Sequence, residues 1–321
     1  MGRLGLVACC LMLLGLPIRP ASAAEPAPSW AYPVNPPEFR PEADDGTLRH
    51  VPDSALAITL TQARDRYYAP DWHPEDHPAM PEVVAHGRKP DVFACGFCHR
   101  ADGPGGPENA GLTGLSVAYI RAQMAAFRDG TRGTVEPKRL PFPLMAKIAA
   151  AATDAEVTEA AAYFASLPYR SVVDVVETDT VPRTRIADWH LLVVPGGGEE
   201  PIGARIIEIP ADNDRFTSRD TRVRFTAFVP SGSIAKGRAL ATTGGDGRTV
   251  VCSTCHGADL KGAGMAPGIA GRSPSYIVRQ LFDIREGKRS GANAALMRPT
   301  VQHLTLDDMI ALTAYVASLR P

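Results

Sequence analysis

Two pentapeptides in this sequence carry recognisable chemistry: Cys95-Gly96-Phe97-Cys98-His99 and Cys252-Ser253-Thr254-Cys255-His256. Two thiols three residues apart, followed at once by an imidazole, can reach one macrocycle from a single turn of chain. The thiols form thioethers to its vinyl groups and the histidine becomes the proximal ligand of its iron, the attachment pattern of a c-type haem. A redox dithiol would ask for a βαβ context, and a zinc site for two further Cys or His ligands at short spacing. Neither accompanies these motifs. Of the six cysteines, Cys9 and Cys10 fall in an N-terminal segment that reads as removable, so the other four are all used. The spacing predicts two covalently attached haem c groups and no disulfide.

The two motifs belong to an internal repeat. A shift of 157 positions carries Tyr119 onto Tyr276, Gln123 onto Gln280, Gly130 onto Gly287 and Arg132 onto Arg289. After a five-residue difference in loop length, a shift of 152 carries Met145 onto Met297, Thr153 onto Thr305 and Ala165-Ser166-Leu167 onto Ala317-Ser318-Leu319. A six-coordinate iron needs a second axial ligand, and Met raises its potential where His lowers it. Met124 aligns with Leu281 and Met265 with Glu108, so those two read as core filler. Met145 and Met297 are duplicated, 46 and 41 residues beyond their proximal histidines. They are the expected axial ligands, in proline-stiffened loops before the last helix of each copy.

Helices must position these groups. Ser273 with Pro274 opens a helix that Gly287 closes; Ser116 and Gly130 punctuate its counterpart, whose face carries Tyr119, Ile120, Met124 and Phe127. Thr153 with Glu156, and Thr305 with Asp308, cap the final helices. Short helices are expected around Pro81 to Gly87 and Ser233 to Leu240, where Gly87 and Gly237 permit close helix approach or simply end the helix. Each copy has about 88 residues, a thin core that a buried cofactor would complete.

This constellation resembles the class I c-type cytochromes in tandem, as in bacterial dihaem electron carriers, over about Pro81 to Leu167 and Ser233 to Leu319. The resemblance implies a mainly α fold of two cytochrome c domains, His99/Met145 and His256/Met297 ligation, and electron transfer. The family usually places a proline carbonyl against the proximal imidazole. Pro267 suits the second copy, whereas the first has Ala110 at that place, leaving the partner of His99 open.

The remainder divides readily. Arg3, the apolar run Leu4 to Leu16 and Ala21-Ser22-Ala23 read as an export signal over residues 1–23, hence a periplasmic protein. That run is too short to span a bilayer, although association with a membrane complex stays open. Residues 24–80 form an irregular Pro-rich arm, 81–168 the first haem domain, 169–232 a β-rich insert and 233–321 the second domain. Strands are expected at His190 to Val194, Ala204 to Ile209 and Arg222 to Val229, with turns at Gly196-Gly197-Gly198 and Asp212-Asn213-Asp214. Among 321 residues, 34 Lys and Arg balance 35 Asp and Glu, so no nucleic-acid footprint exists. His73, His77 and His86 are separated by prolines that deny them a common helical face, and His190 has no ligand vacancy to fill.

The function expected is single-electron transfer between redox partner proteins: a donor dehydrogenase or respiratory complex, and an acceptor oxidase or small redox protein. The alternatives are a cytochrome subunit of a dehydrogenase or oxidase complex, and a dihaem peroxidase, which would need an open iron that two symmetric copies do not suggest.

Overall fold

The computed structural model describes residues 26–321; the export-signal segment lies outside the described residues. The arm contributes one α-helical turn, α1 (Leu60–Ala63), opened by a capping box between Thr59 and Gln62, and a 3-10 turn over Pro74–Asp76. The helix does not continue to Tyr68. Arg64 caps the turn, and the chain instead extends along its neighbours. The first copy follows: α2 (Glu82–Ala85), α3 (Cys95–His99), α4 (Val117–Arg128), α5 (Pro141–Ala151) and α6 (Asp154–Ser166).

The insert holds β1 (Val173–Thr178), β2 (Thr180–Pro182), β3 (Thr184–Ala187), β4 (His190–Val193), β5 (Glu199–Pro201), β6 (Ile207–Pro210), α7 (Asn213–Thr217) and β7 (Phe225–Pro230). Its main sheet runs β1-β7-β6, with β1 parallel and β6 antiparallel to β7. Strand β1, which the sequence reading passed over, pairs along all six residues with β7 and lies beside the last helix of the second copy. The expected turn at Asp212-Asn213-Asp214 is a short helix instead, because the Asp212 carboxylate caps Arg215 N–H and starts α7.

The second copy comprises α8 (Ser233–Thr243), α9 (Ser253–His256), α10 (Pro274–Arg285), α11 (Ala292–Ala295), α12 (Arg298–Val301) and α13 (Leu306–Ser318). Local signals explain the ends of the principal helices. Ser116 and Ser273 each accept an N–H three residues on. Both Thr153–Glu156 and Thr305–Asp308 are complete capping boxes. Gly130 and Gly287 take φ +76° and +69° just after α4 and α10.

The copies differ where the repeat is weakest. Gly237 lets α8 lie against α13 so closely that a Cβ there would sit 1.9 Å from the Ala311 carbonyl. The counterpart α2 is only one turn, and Gly87 (φ +69°) makes the bend after it rather than a helix crossing. Apolar stripes fill the cores: Val157, Ala160, Phe164 and Leu167 in the first copy, Met309, Leu312 and Val316 in the second. The arm joins both. Ala31 and Tyr32 are buried in the second core, while Trp72 is buried farther along and donates to the Ser218 carbonyl at 2.7 Å.

Candidate haem sites

Each Cys-x-x-Cys-His motif forms a short helix whose closing residue takes a positive φ: Arg100 at +70° and Gly257 at +81°. Glycine suits that conformation; arginine does not. Arg100 is held in it by its buried side chain, which donates to the Asp220 carbonyl at 2.6 Å and lies over the Phe216 and Phe225 rings.

His99 donates from Nδ1 to the Ala110 carbonyl, and His256 to the Pro267 carbonyl, both at 2.8 Å. This answers the question left by the alanine. A carbonyl is what the imidazole needs, and the loop delivers one whether or not the residue is proline. With Nδ1 so engaged, Nε2 is the nitrogen of each ring that could ligate an iron. Burial holds both histidines below their ordinary pKa, against the carbonyl bonds that raise it, so both are neutral and able to ligate. Burial likewise raises Cys98, and pushes Cys95 up to about 12 and Cys252 to about 11. Among the described residues no two cysteines form a disulfide, and the raised values at Cys95, Cys98 and Cys252 disfavour the thiolates that a redox dithiol or a zinc site requires.

One cavity of about 770 Å³ is lined by Cys98, His99 and Met145 from the first copy and by Cys255, His256 and Met297 from the second. Cys252 lines a smaller adjacent cavity of about 50 Å³ with His256 and Met297, while Cys95 packs on the core of the first copy. Met145 is not in a loop. Pro141 and Pro143, expected to stiffen one, instead open α5, since proline's fixed φ suits a first helical turn. Met297 sits at the junction of α11 and α12, with Pro299 in the first turn of the latter. Met124 and Met265 also line the cavity.

Haem fits this donor set on a second ground. Arg139 and Arg289 are buried among the lining residues and each leaves Nε without a partner, as does Arg100. Such orphaned cationic donors suit a cofactor that carries carboxylates. Among the arginines lining the cavity, the repeat marks only Arg132 and Arg289, which are duplicated. Arg139, Arg272 and Arg279 line the same cavity, and neither a motif nor a duplication marks them in the sequence.

The duplicated residues meet where the copies touch. Gly133 N–H donates to the Lys288 carbonyl and Ser290 N–H to the Thr131 carbonyl, at 2.7 and 2.8 Å, two bonds that the repeat exchanges for one another. Burial raises the Tyr276 phenol, but Arg132, Arg289 and Arg279 outweigh it and the net shift is downward.

The histidines outside the motifs have ordinary roles. His73 Nε2 lies 3.0 Å from Asp220 Oδ1, His77 pairs with Asp71, and His86 stacks on Tyr68. His190 packs its ring 4.2 Å from Phe216. Among the described residues no cluster of three or more His, Cys, Asp or Glu could hold a metal ion, and no helix is long and apolar enough to cross a membrane.

The Cytochrome c family profile matches residues 234–320. Cytochrome c-554(548) of Halomonas halodenitrificans is 37% identical over 75 residues, 23% of this chain and 90% of that protein. The thiosulfate dehydrogenase electron acceptor of Stutzerimonas stutzeri is 26% identical over 237 residues, 73% of this chain and 82% of that protein. Among solved structures, the thiosulfate dehydrogenase TsdBA of Marichromatium purpuratum is similar at 27% identity and a TM-score of 0.49, over 82% of this chain and 40% of that one.

Proposed function

The chain belongs to the cytochrome c family, and from that premise we propose that it is an exported dihaem carrier of single electrons. It is an electron carrier and not an enzyme. Bound haem supplies a one-electron iron couple at each site. Cys95 and Cys98 attach the first haem, and Cys252 and Cys255 the second. His99 and Met145 would hold the iron of the first haem, and His256 and Met297 that of the second. The single observation that supports this most is the double donor set around one cavity.

The protein's own contribution is to hold these groups still. The Ala110 and Pro267 carbonyls fix the plane and tautomer of each imidazole. Saturating both irons with a protein ligand would leave none open to peroxide, which counts against a dihaem peroxidase. On the likeness to the Stutzerimonas protein, the donor is a dehydrogenase, with thiosulfate dehydrogenase the first to try.

A mass spectrum of protein matured in a competent host should show two haem additions, and a spectroelectrochemical titration should show two one-electron steps. Fewer than two additions, or efficient peroxide turnover in the half-reduced form, would sink the reading.

A further inference from the structure

The repeat supplies its own control for how each attachment turn meets its surroundings. Val250, Ser253, Thr254 and Met265 of the second copy are exposed, Val250 at 43% and Met265 at 38%. Their counterparts 157 positions earlier are Phe93, Gly96, Phe97 and Glu108. All four are buried, Phe93 at 6%, Phe97 at 7% and Glu108 at 8%.

What buries them comes largely from outside the repeat. The Tyr67 ring meets Phe93 edge-on at 5.3 Å, the Arg66 guanidinium lies 5.3 Å from the same ring, and Ala94 N–H donates to the Arg66 carbonyl. Ala69 packs so closely on Gly96 that a Cβ there would come within 2.8 Å of its own. From the insert, Arg219 lays its guanidinium 3.7 Å from the Phe97 ring centre and donates to the Phe97 and Ala63 carbonyls, both at 3.0 Å. That one side chain ties insert, arm and attachment turn together. Trp72 to Ser218 and His73 to Asp220 repeat the arm-to-insert tie nearby.

We propose that the arm and insert seal the first attachment turn, so that protein partners exchange electrons through the second turn alone. The first haem then exchanges only across the boundary between the copies. The inference rests on the dihaem carrier reading. Electron tunnelling weakens steeply with distance, so a layer of packed side chains over one turn and none over the other decides which is the port. The open face carries the uncharged Val250, Ser253, Thr254, Met265 and Leu296, with Arg248, Asp259 and Lys261 also exposed in that segment. Its complement is a redox protein whose own cofactor edge is rimmed by uncharged side chains, since a charged rim would lose hydration there without gaining a partner.

The test is stopped-flow electron exchange between the haem-loaded protein and a purified soluble monohaem c-type cytochrome of near-neutral charge. Thr254→Glu should slow exchange about tenfold after correction for the measured midpoint potentials, with the absorbance spectrum unmoved. Arg66→Glu, which reverses an exposed charge on the seal, should change the rate less than about twofold. Arg219→Ala should open the first turn and add a second fast phase. Equal slowing by Thr254→Glu and Arg66→Glu, or no effect of Thr254→Glu, overturns the port assignment while leaving the carrier reading standing. A wild-type protein with two haems that exchanges no electrons overturns both.

Discussion

Arg132 and Arg289 pair backbone to backbone as an antiparallel bridge between the two copies, and each guanidinium reaches the glutamine of both. Arg132 donates to Gln123 at 2.7 Å and to Gln280 at 3.5 Å; Arg289 donates to Gln280 and to Gln123, each at 2.9 Å. Arg132 also donates to the Tyr276 hydroxyl at 2.8 Å. Residues that the repeat matched one to one are therefore shared across its boundary, and both arginines line the cavity.

Arg289→Ala should destabilise the haem-loaded protein by about 1–3 kcal/mol, because it removes a charge-assisted bond from each of two half-buried glutamines. Arg289→Lys should not restore this, since an ammonium cannot fork to two glutamines. The double variant with Arg132→Ala should cost more than the sum of the singles, by about 0.5–3 kcal/mol, because only then does each glutamine oxygen lose both guanidinium donors. Denaturant unfolding checks all three; strict additivity would show that the arginines act independently.

Met145→Ala and Met297→Ala should each remove about half of the weak near-infrared sulfur-to-iron absorption and lower that haem's potential. Each should also create carbon monoxide binding at the opened iron. If the band survives both changes, Met124, Met265 or a histidine must be the ligand.

Gly237→Ala should separate α8 from α13, because the added carbon would meet the Ala311 carbonyl, which is backbone and cannot swing aside. The expected loss is about 1–3 kcal/mol or more. Gly287→Ala, with a positive φ but open space around it, should cost only about 1 kcal/mol. Thermal melts of the two variants compare close packing with backbone strain; equal losses would contradict the assignment.

Glu156 is held down at about 2, chiefly by the Arg88 hydrogen bond, then by Thr153 N–H and hydroxyl bonds that together overcome the opposing effect of burial. A carboxylate depressed in the folded state contributes stability above its ordinary range, and that contribution fades as pH falls from about 4.5 to about 2. The pair lies near the surface, so its worth is about 0.5–1 kcal/mol. Glu156→Gln should remove this share of the acid-side pH dependence and leave stability at pH 2 unchanged. An unaltered profile between pH 2 and pH 5 would refute the assignment.

The sequence by itself determined whatever depends on a few neighbouring residues. The two attachment motifs are legible because thioether and imidazole chemistry fixes their spacing. The ends of α4, α6, α10 and α13 are legible because a cap is a bond between residues three apart. The repeat was visible because both copies solve the same packing problem around one kind of cofactor. Only the tertiary structure decided the rest. Ala110 replaces a proline without loss because the imidazole reads a carbonyl's position, not the residue that bears it. Pro141 and Pro143 open a helix instead of a loop because their neighbours could complete it. Nothing local marks Arg66, Tyr67, Ala69 or Arg219 as a cover for Phe93, Gly96 and Phe97. Those contacts join segments up to 122 residues apart, and burial of that kind belongs to the folded surface, where distant residues first meet.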